Sequence, residues 1–195
     1  MNRTAVILLA STSPYRRELL ARLGLAFEAV APGVDEAPRA HELPVDRALR
    51  LAHEKAASVA ARHPEAIVIG SDQVAACGER VLEKPGDAAR AREQLALLSG
   101  RSARFYTACA LLAPRPGPHL AHVDTTTVSF RSLSGEEIAR YVERDRPFDC
   151  AGSFKAETLG VTLLEAIDTQ DPSALIGLPL IWLAGALRSA GFPLP

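Results

Sequence analysis

The chain has 195 residues, with 22 lysines and arginines against 23 aspartates and glutamates, for a formal net charge of −1. This length is sufficient for one large domain, or for two lobes, with a substantial hydrophobic core. The balanced charge argues against a broad basic surface for nucleic acid. Three cysteines, at positions 77, 109 and 150, show no metal-ligand spacing and fit a reducing cytoplasm. No signal peptide is recognised, and the longest uncharged apolar run, residues 174–187, is too short to span a membrane.

Residues 5–20 predict a buried strand that turns directly into a helix. Six apolar residues end in three hydroxyl residues, the first of them Ser11, and Pro14 then opens an amphipathic run. Ser13 is expected to cap this helix, whose first backbone N–H groups suit a phosphate. Arg16 falls on the apolar face of the helix, where a guanidinium can bind a buried anion. The alternative is an ordinary capped turn with solvated arginines.

Two segments further on carry candidate charged residues. Residues 32–38 form a turn-rich loop in which Glu36 is part of either a solvated turn or a cation site. Residues 45–63 predict a helix. Its expected inward stripe is Leu49, Ala52, Ala56, Val59 and Ala60. Lys55 lies at the margin of that stripe, so its ammonium is expected to reach out of the end of the core, as a snorkelling surface lysine or as a binding group.

A second buried strand is predicted at residues 66–70, and it is expected to end in Ser71, Asp72 and Gln73. An acid at the end of a buried strand is a candidate functional residue, because ligands of open α/β sheets bind outside the carboxyl ends of the strands. Asp72 could equally be a plain cap or turn residue.

The rest of the chain alternates strand and helix signals, which predicts the α/β class. The expected elements are a hairpin turn at residues 77–80, a helix over 88–98 capped by Asp87, strands over 104–112 and 120–133, a helix after a capping box at Ser134–Glu137, a strand over 161–167 and a last helix starting at Pro179. Residues 151–157 form a small-residue loop that can let a ligand approach the backbone.

Eight short motifs occur in an order that is typical of one protein family. They are Ser11-Thr-Ser-Pro-Tyr-Arg-Arg, Val34-Asp-Glu, Lys55, Gly70-Ser-Asp-Gln, Lys84-Pro, Ser99-Gly-Arg, Ala151-Gly-Ser-Phe and Ile176-Gly-Leu-Pro-Leu. With this combination the chain resembles the Maf family of nucleoside triphosphate pyrophosphatases over nearly its whole length. The resemblance implies a single Maf-like domain over residues 1–195. Its fold would be α/β, with a mixed, strongly twisted sheet flanked by helices in two lobes around a central cleft, as in Maf-like and ITPase-like proteins.

The reaction that the resemblance implies is attack of water on the α-phosphorus of a nucleotide, which gives the monophosphate and diphosphate. A divalent cation, Mg²⁺, Mn²⁺ or Co²⁺, would assist, held by Glu36 and Asp72. Asp72 would also accept the proton of the water, a role that is hard to separate from metal binding. The implied substrate-binding residues are Ser11, Ser13, Arg16, Lys55 and Lys84.

Base choice is implied by Tyr15, Gln73 and Glu157, which match specificity positions of the family. Tyr15 together with Ser71-Asp72-Gln73 resembles the branch that acts on 7-methyl-GTP, whose methylated base is cationic and attracts aromatic faces and carboxylates. Tyr15 departs from the tryptophan of close relatives, and Thr107-Ala108 departs from their Thr-Gly. Without a ligand role, Tyr15 and Glu157 would be a rim aromatic and a solvated acid.

The implied function is removal of methylated or otherwise modified nucleotides from the pool by a cytoplasmic homodimer that takes a nucleotide substrate and neither nucleic acid nor membrane as a partner. Two alternatives stay open. One is the dTTP/UTP specificity of the same family, in which threonine usually follows the acid. The other is a regulator of septum formation in cell division that acts by binding.

Overall fold

The structure is a computed structural model that describes residues 6–195. The chain divides into two compact units, in agreement with the expected two lobes. The first unit contains the residues up to Gln73 together with Thr107–Asp124 and Asp171–Pro195. The second contains Val74–Tyr106 and Thr125–Gln170. Within residues 6–195, no helix is both long enough and apolar enough to cross a membrane.

Among residues 6–195, seven strands form a mixed sheet in the order β2-β1-β3-β5-β6-β7, and β4 pairs with β3 beside this path. The strands are β1 (Ile7–Ala10), β2 (Phe27–Ala29), β3 (Ile67–Cys77), β4 (Arg80–Leu82), β5 (Ser102–Leu112), β6 (His119–Phe130) and β7 (Leu164–Asp168). β1 is parallel to β2 and to β3, whereas the β3–β4 and β6–β7 pairs are antiparallel. The predicted α/β class is therefore confirmed.

In the part of the chain that the structure describes, five α-helices flank the strands, and most of them begin where the local sequence predicts. They are α1 (Pro14–Ala21), α2 (Pro44–Arg62), α3 (Ala88–Leu98), α4 (Gly135–Asp145) and α5 (Leu180–Ser189). The predicted caps are confirmed, since the side chains of Ser13 and Asp87 accept hydrogen bonds from backbone N–H groups of the first helical turn. Ser134 and Glu137 form the expected reciprocal capping box. Three short 3-10 helices lie at Ala151–Ser153, Leu159–Leu163 and Ala174–Ile176.

The core of the first unit is built from β1, β3, α1 and α5. Its buried side chains include Ile7, Leu9, Leu19, Leu20, Ile67, Ile69, Leu183 and Leu187. Helix α2 approaches β3 closely at Gly70, where an added Cβ would collide with the backbone of Ala52 and Ala56. This contact fixes the face that α2 turns towards β3, and Lys55 lies on that face.

The predicted inward stripe of α2 is partly wrong. Leu49 is exposed, and the helix instead buries Ala48, Leu51, Ala52, Lys55, Ala56 and Val59. Lys55 therefore lies inside the buried face and not at its margin, and the snorkelling interpretation is wrong. Leu49 and Leu51 lie on opposite sides of the stripe formed by Ala52, Ala56 and Val59. The stripe can therefore be extended towards either leucine, and periodicity alone does not select between the two.

Three strand boundaries also differ from the prediction, one of them the end of β6, which lies at Phe130 and not at residue 133. β3 continues through Ser71, Asp72 and Gln73 to Cys77, because residues after the polar triplet pair with β4. Asp72 therefore lies inside a strand and not after its end. β7 begins at Leu164, and the preceding residues from Leu159 form a 3-10 helix.

Candidate active site

The polar residues after β1 and those within β3 lie at the same level of the sheet. The parallel ladder ends with Ala10 opposite Gly70. Ser11 and Ser71 directly follow this last pair in the sequence, so both polar segments begin where the hydrogen-bonded pairing of β1 and β3 stops. Ser11 thus lies beyond the end of β1, whereas Asp72, which was expected beyond a strand end, lies within β3.

Two hydroxyl groups organise the turn between β1 and α1. Ser11 Oγ accepts a hydrogen bond from the backbone N–H of Ser13 at 3.1 Å, and Ser13 Oγ accepts one from the N–H of Arg16 at 3.4 Å. Each hydroxyl acts here as an acceptor, so its own hydrogen can still be donated to an anion. The turn lies at the N-terminus of α1, where backbone dipoles favour negative charge.

Arg16 is held by a backbone carbonyl of the C-terminal segment. Its Nε donates to Gly177 O at 3.0 Å, and Ser71 Oγ donates to the same oxygen at 2.9 Å. Gly177 has a φ of 132°, which residues with a Cβ rarely adopt. The two terminal nitrogens of Arg16 have no protein partner among residues 6–195. The guanidinium is thereby oriented through one edge, and its other edge is available for a phosphate.

Lys55 and Asp72 form a buried ion pair that also includes Glu36. Lys55 Nζ lies 2.7 Å from Asp72 Oδ1 and 2.7 Å from Glu36 Oε1. Lys55 and Asp72 are 4% and 6% exposed, whereas the Glu36 side chain is 57% exposed. Buried charges need such partners, because an unpaired charge in the protein interior is strongly destabilising. In the described part of the chain Asp72 Oδ2 has no partner, so it can accept a proton or bind a ligand.

The donor set around Lys55 fits a divalent cation that is completed by the substrate. Residues 6–195 contain no cluster of three or more His, Cys, Asp or Glu side chains that could hold a metal by itself. Glu36 and Asp72 nevertheless supply two carboxylates around one ammonium group. Mg²⁺ commonly binds through one or two carboxylates together with substrate phosphates, so two acids satisfy that requirement.

The amide nitrogen of the Gln73 side chain is used for hydrogen bonds within the protein. Nε2 donates to Thr107 Oγ1 at 2.9 Å and to the carbonyls of Ala174 and Leu175 at 3.0 Å. Its Oε1 accepts no hydrogen bond from the described residues. Gln73 therefore fixes the 3-10 helix that precedes Gly177, and only its carbonyl oxygen is available to a nucleotide base.

Sequence reasoning missed Asp171 and Ser173, which hold the segment that contains Gly177. Asp171 is 4% exposed, and its Oδ2 accepts a hydrogen bond from Ile181 N at 2.7 Å. Ser173 Oγ accepts one from Leu180 N at 2.8 Å. These groups satisfy the first turn of α5, which Pro179 cannot do by a side-chain hydrogen bond. The turn-forming sequence Asp-Pro-Ser was the available signal.

Two of the predicted site residues belong to the second unit. Lys84 is exposed and follows β4, and in the described chain it has no ion pair. Glu157 is exposed and follows the 3-10 helix at Ala151–Ser153. The other predicted residues, Ser11, Ser13, Tyr15, Arg16, Glu36, Lys55, Asp72 and Gln73, all belong to the first unit. Tyr15 is half-buried near the start of α1.

The loop that carries Glu157 is anchored within the second unit just before that residue. Phe154 packs edge-on against Phe105 and Phe130, with ring centroids 5.5 and 5.2 Å apart. The backbone N–H of Lys155 donates to the Tyr141 hydroxyl at 3.0 Å. Burial raises the pKa of Tyr141, so this group remains an un-ionised hydroxyl at neutral pH. The exposed carboxylate of Glu157 is therefore presented from an ordered backbone.

Comparison with known proteins places the chain in a family. It is 51% identical to "7-methyl-GTP pyrophosphatase" of Aromatoleum aromaticum, over 99% of this chain and 100% of that protein. It is 53% identical to the protein of the same name from Xanthomonas oryzae pv. oryzae, over 97% of this chain and 98% of that protein. A HAM1 protein from Coxiella burnetii has a similar fold, with a TM-score of 0.52 at 17% identity over 96% of this chain and 100% of that chain. The family described as "Maf-like protein" matches residues 6–190, and the chain therefore belongs to the Maf family.

Proposed function

We propose that the protein is a nucleoside triphosphate pyrophosphatase that hydrolyses 7-methyl-GTP to 7-methyl-GMP and diphosphate, and so removes modified nucleotides from the pool. The observation that carries this proposal is the buried Lys55–Asp72 pair, which leaves one oxygen of Asp72 free among the described residues, directly after Ser71, which shares the Gly177 carbonyl with Arg16. Curated relatives that are about half identical over nearly the full length carry this activity in their names.

In the proposed reaction Asp72 accepts the proton of the water that attacks the α-phosphorus. Lys55 holds Oδ1 of this carboxylate, so that Oδ2 faces the water in a defined orientation. Glu36 and Asp72 would hold the divalent cation, which supplies charge neutralisation to the phosphates when it is bound. Arg16, together with Ser11 and Ser13, binds phosphate oxygens at the start of α1, and Lys84 adds a further cation. Diphosphate leaves with its negative charge paired to these groups.

The methylated base is read by one aromatic and two polar side chains in this proposal. Tyr15 stacks on the cationic ring, Glu157 attracts its positive charge and accepts from its N–H edge, and Gln73 contributes its carbonyl oxygen. We further propose that residues 1–195 make one Maf-like domain, which the family match over residues 6–190 supports. A cytoplasmic homodimer remains part of the proposal on the family resemblance alone.

A nucleotide panel tests the proposed substrate. With Mg²⁺ or Co²⁺ and a coupled pyrophosphatase, we expect kcat/KM for 7-methyl-GTP to exceed that for GTP by about tenfold, because a cation–π contact and a carboxylate contact together supply roughly 1.4 kcal/mol. Equal or faster turnover of GTP would contradict the proposal. Faster turnover of dTTP and UTP would assign the chain to the other specificity of its family.

Replacement of Glu157 by alanine is expected to reduce base discrimination. The kcat/KM ratio of 7-methyl-GTP to GTP should fall by about threefold, which corresponds to roughly half of the expected 1.4 kcal/mol, because the stacking contact of Tyr15 is retained. The kcat/KM for GTP should fall by a smaller factor than that for 7-methyl-GTP, because neutral guanine shares the N–H edge but lacks the positive charge that the carboxylate attracts. Glu165→Ala is a matched control, since Glu165 is also exposed and belongs to the same unit. Equal losses on both nucleotides would argue against base reading by Glu157.

A further inference from the structure

The loop that carries Glu36 is fastened along α2 by side chains of that helix. Four residues of α2 donate hydrogen bonds to backbone carbonyls of residues 31–37. They are Arg62 to Ala31 O at 2.8 Å, Ser58 to Pro32 O at 2.5 Å, Arg47 to Glu36 O at 3.2 Å and Arg50 to Ala37 O at 3.2 Å. The last two bonds hold the carbonyls of Glu36 itself and of the residue after it. The backbone on the C-terminal side of Glu36 is thereby fixed to the helix that also carries Lys55.

Arg50 connects more parts of this loop than the other three residues. Its guanidinium binds Glu42 through two nitrogens, with Nη2 2.7 Å from Oε2, and Nη1 lies 3.0 Å from Glu54 Oε2. The Arg50 and Glu42 side chains are only 12% and 9% exposed. Glu42 also accepts a hydrogen bond from the backbone N–H of Arg39. One planar cation therefore joins the loop at Ala37, the loop end at Glu42 and the helix at Glu54.

Glu42 is ionised at neutral pH, so its ion pair with Arg50 holds the loop under all neutral conditions. The hydrogen bond from Arg50 lowers the pKa of Glu42 to about 2. Because this value lies below the ordinary pKa of 4.5, the pair stabilises the folded loop fully above pH 4.5 and loses that contribution as the pH falls towards 2. The ion pair between Arg50 and Glu42 is therefore ionised throughout the neutral pH range.

We propose that Arg50 is a positioning residue that sets the carboxylate of Glu36 opposite Asp72 for a divalent cation, an inference that rests on the proposed function. The Glu36 side chain is 57% exposed, so burial does not hold it in one place. A ligand on an unfastened loop would have to be ordered each time the cation binds, which weakens binding. Arg50 removes that cost because it holds the adjacent carbonyl and the loop end together.

Arg50→Lys tests this role, because lysine keeps the charge and loses the planar fork. Hydrogen exchange of the free protein should show amides of residues 37–43 exchanging about tenfold faster, which corresponds to a loss of roughly 1.4 kcal/mol of local stability. Mn²⁺ binding, measured by electron paramagnetic resonance with a non-hydrolysable α,β-methylene analogue of GTP, should weaken by about fivefold. Arg90→Lys is the control, since Arg90 is exposed and its ion pair lies in the second unit.

A double-mutant cycle with Glu36→Gln separates positioning from a general effect on the fold. If Arg50 acts through Glu36, Arg50→Lys should not weaken Mn²⁺ binding further in the Glu36→Gln background. An equal weakening in both backgrounds, or unchanged amide exchange, would overturn the inference. Neither readout requires turnover. If both the amide exchange and the Mn²⁺ binding change as expected but the protein hydrolyses no nucleotide, the proposed function is rejected. Arg50 would then remain a residue that orders a metal-binding loop.

Discussion

Asp72→Asn should lower kcat for 7-methyl-GTP by about 10³-fold, as expected when a general base is removed. Asparagine keeps the size of the side chain and can still accept a hydrogen bond from Lys55, but it does not take a proton from water. It is also a much weaker ligand for a hard cation than a carboxylate. Single-turnover kinetics with enzyme in saturating excess over nucleotide, and with saturating metal, measure this loss directly, because they separate the chemical step from binding and product release.

The fold of this variant should be retained, because Lys55 keeps Glu36 as a charged partner. Circular dichroism and the exchange of core amides report on this point. Asp168→Asn is a suitable control, since Asp168 is an exposed acid at the end of β7. Asp72→Asn with wild-type activity would remove this residue from the mechanism. A cellular effect on septum formation that survives complete loss of hydrolysis would favour a protein that acts by binding.

Lys55→Met is expected to have the second-largest effect, because it removes the cation between two acids. Asp72 would then be buried without a counter-charge, which typically costs about 3 kcal/mol. Most of this cost comes from Asp72, since the exposed Glu36 carboxylate is solvated by water. For a chain of this size, the midpoint of thermal unfolding should fall by roughly 6 to 12 °C. Calorimetry without nucleotide or metal measures the change.

A double-mutant cycle with Asp72→Asn shows whether the lost ion pair causes the loss of stability in Lys55→Met. In the Asp72→Asn background, Lys55→Met should cost at least about 1 kcal/mol less than in the wild type, because no buried carboxylate is left unpaired. Lys84→Met serves as the matched control, since Lys84 is an exposed lysine whose removal should change stability by less than about 0.5 kcal/mol. Equal costs in both backgrounds would mean that Lys55 stabilises the fold through its aliphatic stem.

Local sequence signals predicted the helix starts well. Ser13, Asp87 and the Ser134–Glu137 box each satisfy backbone N–H groups within three residues. A cap of this kind depends on neighbours in the sequence, so it can be recognised without knowledge of the fold. The buried face of α4, with Ile138, Tyr141 and Val142, was predictable for the same reason, because its polar residues leave one apolar stripe.

The environment of Lys55 could not be predicted from periodicity. Its two acidic partners lie 19 residues before it and 17 residues after it, and nothing local indicates that the fold brings them to one ammonium. The end of β3 was missed for a similar reason. Ser71 and Gln73 have hydrogen-bond partners at residues 174–177, more than 100 positions away. A polar triplet without such partners would end a buried strand.

The backbone oxygen of Gly177 is an orienting group that the sequence does not reveal. A carbonyl occurs at every position, so no residue type identifies the one that orients Arg16 and Ser71. The family motif around Ile176 marked the segment, but the role of its carbonyl emerged only from the coordinates. The residues named in the proposal come from the motifs as a set, whereas the groups that orient them, such as Gly177 O, could not be recognised from the sequence.

Hydrolysis of 7-methyl-GTP in ¹⁸O-labelled water tests most directly whether the enzyme directs water to the α-phosphorus. Mass spectrometry of the products should find 7-methyl-GMP with one labelled oxygen and diphosphate without label, because the new bond forms at the α-phosphorus. Label in diphosphate, or release of 7-methyl-GDP with labelled phosphate, would contradict the proposed chemistry.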